Sequence, residues 1–129
     1  MKNSTAKPLI VAVDDTRFVC DTLTTWLKDI YDIKTFLSGD EAISFLSENQ
    51  VDLFLLDYDM PEMTGYEVLM NIRQNLNYST KVPVIFLTAV TNDRMEQEML
   101  ERGANAYIRK PLDLNVLKRT IVKYLNEKL

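Results

Sequence analysis

Apolar residues in this chain gather in short unbroken runs, set between longer stretches of helical spacing. The runs LIVAV (9–13), DLFLL (52–56) and VPVIFL (82–87) are almost continuous in branched and apolar residues, the composition of strands covered on both faces. IKTFL (33–37) and NAYIR (105–109) are more polar runs of the same kind. Val19, Leu23, Trp26, Leu27 and Ile30 recur at intervals of three and four and predict a first helix with one apolar stripe. Ser38 with Glu41, and Thr64 with Glu67, match capping boxes that open a second and a third helix. A fourth helix over about 92–102 ends at Gly103, and a fifth follows Asp113 with Leu117, Ile121, Tyr124 and Leu125 on one side. The order is strand then helix, five times over. Such alternation predicts right-handed crossovers and a parallel sheet between two helix layers, an α/β fold.

Composition narrows the partners. At 129 residues, 47% hydrophobic and 26% charged, the chain has the material for one domain, read as 8–129 with a loose lead-in over 1–7. A net charge of −4 argues against direct nucleic-acid binding, which draws on clustered Lys and Arg. Cys20 is the sole cysteine, so it forms no internal disulfide and is read as a small packed helix residue in a reduced, cytoplasmic protein. No apolar stretch reaches the length of a secretory signal core or a membrane span. The sequence contains no histidine. Any step that needs one falls to a partner.

Chemistry collects where the predicted strands end. Asp14 and Asp15 follow the first, Asp57 and Asp59 the third, Thr88 the fourth, and Lys110 and Pro111 the fifth. In a parallel sheet these ends share one edge, the edge where open α/β folds place their ligands. Clustered carboxylates repel one another, and a hard divalent cation relieves them. Mg²⁺ takes one or two carboxylates, keeps several waters and accepts a phosphoryl oxygen. With a lysine to pair an anion and a threonine hydroxyl to donate to it, the set has the parts for phosphoryl transfer onto a carboxylate. Asp14 and Asp15 are also residues that cap helices, Thr88 is a residue that favours strands, and Gly65 and Gly103 suit turns and caps.

VDD at 13–15, LLDYDMPEMTG at 55–65, FLTA at 86–89, RGANAY at 102–107 and KP at 110–111, in this order and spacing, resemble the receiver domains of two-component response regulators. The resemblance spans about residues 9–127. It implies a flavodoxin-like (βα)5 fold, with a five-stranded sheet in the order 2-1-3-4-5. It implies that Asp57 is the phosphoacceptor and that Asp15 and Asp57 bind Mg²⁺ directly. Asp14 would act through water, and Asp59 through its backbone carbonyl. Lys110 and Thr88 would bind the phosphoryl group, and Tyr107 would switch the surface of the fourth helix, fifth strand and fifth helix. A cis Lys110-Pro111 bond is expected from the same likeness. So is a phosphohistidine donor, a sensor kinase or phosphotransfer protein, with a downstream protein target or fused output domain on the other side. Asp59 and Val90 occupy the two variable positions that tune acyl-phosphate lifetime in the family. Asn105 and Ala106 stand where its winged-helix members often carry paired acids. A receiver accepts one phosphoryl group per molecule and is not an enzyme. The chain is either a stand-alone receiver or part of a longer regulator.

Two other readings compete. DYDMP at 57–61 resembles the nucleophile motif of haloacid-dehalogenase phosphatases, but Pro61 stands where that motif has Thr or Val, and the paired acids precede the nucleophile. A receiver fold can also serve as an interaction module that needs no phosphorylation.

Overall fold

Branched and aromatic side chains dominate the three central strands because both faces of those strands are covered. β1 (Leu9–Val13), β3 (Leu53–Asp57) and β4 (Val84–Thr88) are buried at every position except Leu9. β2 (Asp32–Phe36) and β5 (Ala106–Arg109) are the sheet edges and alternate with more exposed positions. All pairings are parallel, in the order β2-β1-β3-β4-β5. This computed structural model describes residues 7–75, 82–89 and 92–127.

Strand alternation divides the interior into two cores. Ile10, Ala12, Leu53, Leu55, Ile85 and Leu87 face α1 (Arg17–Leu27) and α5 (Leu114–Glu127), which contribute Leu23, Leu27, Leu117 and Ile121. The opposite face, with Val11, Val13, Phe54, Leu56, Val84 and Phe86, packs against α2 (Gly39–Leu46), α3 (Gly65–Gln74) and α4 (Asp93–Glu101). The chain leaves β1 for β2 on one side and returns to β3 on the other. The sheet therefore changes direction between β1 and β3, and the crevice at that point opens beyond their C-terminal ends.

Two expectations change in detail. α1 stops at Leu27, and the next turns bond Lys28 N to Thr24 O and Tyr31 N to Leu27 O. Ile30 therefore leaves the stripe and is 48% exposed, while Tyr31 enters the core. At α2, Ser38 accepts from the Glu41 amide and donates its hydroxyl to the Glu41 carboxylate, so the reciprocal half of the box is missing. At α3 the box is complete: Glu67 N donates to Thr64 Oγ1 and Thr64 N to Glu67 Oε1. Neither Asp14 nor Asp15 caps α1, whose N-cap is Thr16. The expected strands are all present, with starts shifted by one or two residues in β2 to β5; Asp113 caps α5 as expected, and Asn92 caps α4. Gly103 takes the positive φ of 113° that ends α4.

Candidate functional site

Asp14 is the first residue past β1. Its amide donates to Phe36 O, which extends the sheet ladder by one bond and turns the side chain inward. The carboxylate is fully buried, and burial demands partners for both oxygens. Oδ1 accepts from the Thr16 amide at 2.9 Å and Oδ2 from Lys110 Nζ at 2.8 Å. The Cys20 thiol donates to the Asp14 carbonyl at 3.3 Å. Burial, and then the Asp14 carboxylate, push that thiol above its usual pKa, consistent with a packed residue and not a reactive one. Asp15 faces solvent at the mouth of the crevice.

Asp57 ends β3 and is 4% exposed. Its Oδ1 lies 3.4 Å from Lys110 Nζ and accepts from the Asp59 amide at 3.3 Å. The loop beyond it is held by bonds from Tyr58 N to Leu87 O and from Gly65 N to Tyr58 O, and the Tyr58 ring stands edge-on to Phe86 at 5.1 Å. Gly65 is where α3 touches this loop. A Cβ at that position would lie 2.3 Å from the Asp57 carbonyl oxygen, so only glycine allows the backbones to meet.

Lys110 reaches the crevice from the end of β5, where its amide donates to Thr88 O at 2.8 Å and the bond to Pro111 is cis, as the resemblance implies. Burial works to lower the Lys110 pKa, but the hydrogen bond to Asp14 and the charge of Asp57 outweigh it and hold the ammonium above its usual range. Asp57 responds in the same direction. Burial first, and then the Asp14 carboxylate, raise it from 3.8 to about 7, against the opposing pull of Lys110 and the Asp59 amide.

Carboxylate oxygens of Asp14, Asp15 and Asp57 lie within 4.8 Å of one another. One ammonium against three carboxylates leaves two negative charges, which one divalent cation balances. Hard oxygen donors with one carboxylate open to water suit such an ion.

Thr88 is fully buried at the end of β4, next in sequence to Leu87, which pairs in register with Asp57. The residues expected at the site divide by position. Asp14, Asp15, Asp57 and Lys110 form one contact group, while Asp59 contributes its amide and leaves its side chain in solvent. Tyr107 lies apart, half-buried on β5, with its hydroxyl on Glu96 of α4. Val90 falls outside the described residues.

Residues 10–122 match the model of the response regulator receiver domain. The chain belongs to that family. Among curated relatives, the receiver is 39% identical over 119 residues to a probable cyclic di-GMP phosphodiesterase of Vibrio cholerae, covering 92% of this chain and 27% of that protein. It is 35% identical over 117 residues to the sensor histidine kinase RcsC of Salmonella typhimurium, covering 90% of this chain and 12% of the kinase. The receiver thus spans well under half of either protein. Among solved structures, Vibrio cholerae CheY4 superposes with a TM-score of 0.86 at 28% identity, over 92% of this chain and 99% of that one. The beryllofluoride-activated DrrB receiver domain gives 0.81 at 26% identity, over 93% and 98%.

The receiver contains two functional candidates that residue patterns did not single out, Glu96 and its partner Arg109. Glu96 is buried, and it bonds both Tyr107 and Arg109. The signal was present: Glu96 stands three residues before Met99, the other buried side chain of α4, and so lies on the core stripe.

Proposed function

We propose that Asp57 accepts a phosphoryl group from a phosphohistidine of a partner kinase or phosphotransfer protein. The observation that carries this reading is the Asp57 carboxylate, nearly sealed at the end of a central strand, with Lys110 3.4 Å away and two further carboxylates beside it. An Asp57 oxygen attacks phosphorus in line, the P–N bond to the donor histidine breaks, and the electron pair returns to the imidazole. The donor lies outside this sequence, which has no histidine.

Asp14, Asp15 and Asp57, with the Asp59 carbonyl, would hold Mg²⁺. Mg²⁺ supplies neutralisation of the phosphoryl oxygens when bound. Lys110 transfers its pairing from the Asp57 carboxylate to a phosphoryl oxygen, and Thr88 donates to another. Tyr107 then responds to the movement of Thr88 and alters the face formed by α4, β5 and α5, as a shift between two packings. Each chain accepts one phosphoryl group and does not turn over. No described helix is long and apolar enough to cross a membrane, and a cytoplasmic site of action goes with a kinase partner. Residues 8–129 act as one receiver unit, whose downstream target or output domain takes the signal without direct nucleic-acid contact.

Incubation with acetyl phosphate and Mg²⁺, followed by intact-mass spectrometry, is expected to give one acid-stable, base-labile phosphoryl adduct per chain, and none in Asp57→Asn. Adduct at full stoichiometry in the variant would reassign the acceptor. Continuous phosphate release from added esters would instead favour a phosphatase.

Mg²⁺ is expected to raise the melting temperature more at about pH 8 than at about pH 5.5, because a cation competes with the proton that Asp57 holds up to about 7. Asp15→Ala should reduce the gain at the higher pH. Thermal melts with and without Mg²⁺ at both values test this, and a gain independent of pH counts against the site.

A further inference from the structure

Burying a carboxylate is costly unless charged or polar partners compensate it. Glu96 is 5% exposed, and its two oxygens are divided between two side chains of one strand. Oε1 accepts from the Tyr107 hydroxyl at 2.9 Å, and Oε2 from Arg109 Nε at 2.6 Å. Tyr107 and Arg109 are two residues apart on β5 and so face the same side, toward α4. Ile108 between them packs into the opposite core. Lys110, the next residue, is the one that reaches Asp14 and Asp57. β5 is thus held at its site end by Lys110 and along its α4 face by Glu96.

We propose that Glu96 is a positioning residue that latches β5 to α4 in the unphosphorylated arrangement and opposes the switch. Tyr107 leaves its present place only by giving up the bond to Glu96. The carboxylate then stays buried with Arg109 as its remaining side-chain partner, and that loss weighs on the switched arrangement alone. Weakening the latch therefore favours whatever arrangement a group on Asp57 selects. The proposal rests on the reading of Asp57 as acceptor and Tyr107 as responder.

The test is titration of the full chain with beryllofluoride in the presence of Mg²⁺, following the Tyr107 ring by NMR. The expected result for Glu96→Gln, which keeps the shape and loses the charge, is half-saturation at an about 3- to 10-fold lower beryllofluoride concentration than wild type. A residue that only packs gives the opposite or nothing, since its loss loosens the fold without favouring the bound form. Glu96→Gln leaves a weaker, uncharged acceptor for Tyr107; should it fail to fold, Tyr107→Phe removes that hydrogen bond outright and should tighten binding likewise. Wild type that saturates while the folded variant saturates at an equal or higher concentration overturns the latch. Wild type that ignores beryllofluoride, as Asp57→Asn should, overturns the acceptor reading and the latch with it.

Discussion

Asp57→Asn is expected to stabilise the metal-free protein by about 2 kcal/mol near pH 8 and to leave it unchanged near pH 4, even as it erases phosphoryl acceptance. The carboxyl group is raised from 3.8 to about 7 by burial and by Asp14. A group whose pKa is higher folded than unfolded contributes stability that is complete below the unfolded value and is lost as pH rises through the folded one. The window here runs from 3.8 to about 7. A gap of about three units at about 1.4 kcal/mol each sets a ceiling near 4 kcal/mol, with the pull of Lys110 already counted in it, and water at the open mouth of the crevice screens the repulsion to about half of that. Urea denaturation of both proteins at the two pH values checks this. A variant no more stable than wild type at pH 8 would mean that Asp57 is not strained in the folded state.

Gly65→Ala reverses an ordinary preference. Within a helix, alanine is favoured over glycine by about 1 kcal/mol. Here the added methyl would sit 2.3 Å from the Asp57 carbonyl oxygen and 2.9 Å from Tyr58 Cα, and both are backbone atoms that no rotamer change can move. The expected cost is about 3 kcal/mol, in the upper range for an overpacked contact. Relief requires the 57–58 segment to shift, so labelling by acetyl phosphate should slow as well. Chemical denaturation and labelling rates together check this; normal stability would show that the loop yields freely.

The site edge was legible because a parallel sheet puts every strand's C-terminal end in one place, so residues 14, 15, 57, 88 and 110 converge once the strands are recognised. Residue pattern alone did not separate Asp14 from Asp15; only the family resemblance gave them different roles. Adjacent acids at a strand end look equivalent, yet the ladder bond from Asp14 N to Phe36 O turns one inward to Lys110 and leaves the other in solvent. The end of α1 was misread for a related reason. Ile30 has the right spacing for the stripe, but spacing does not say where a helix stops, and the turn bonds after Leu27 divert the chain so that Tyr31 takes the buried place. Glu96 was hidden by its company: in DRMEQEMLE an acid in the first turn reads as a favourable charge at a helix start. Its partners come from β5, and helical period alone does not reveal a partner from another element.

The two ends of the proposed signal lie on strands with unlike support. β3 and β4, which carry Asp57 and Thr88, are each hydrogen-bonded on both sides. β5, which carries Tyr107 and Arg109, is four residues long and, among the described residues, pairs with β4 alone. A displacement of equal size disturbs half as many ladder bonds at the border as in the interior. The proposed acceptor therefore lies on a strand supported from both sides, and the proposed reporter on one supported from a single side. The acceptor geometry can stay fixed while the output face moves.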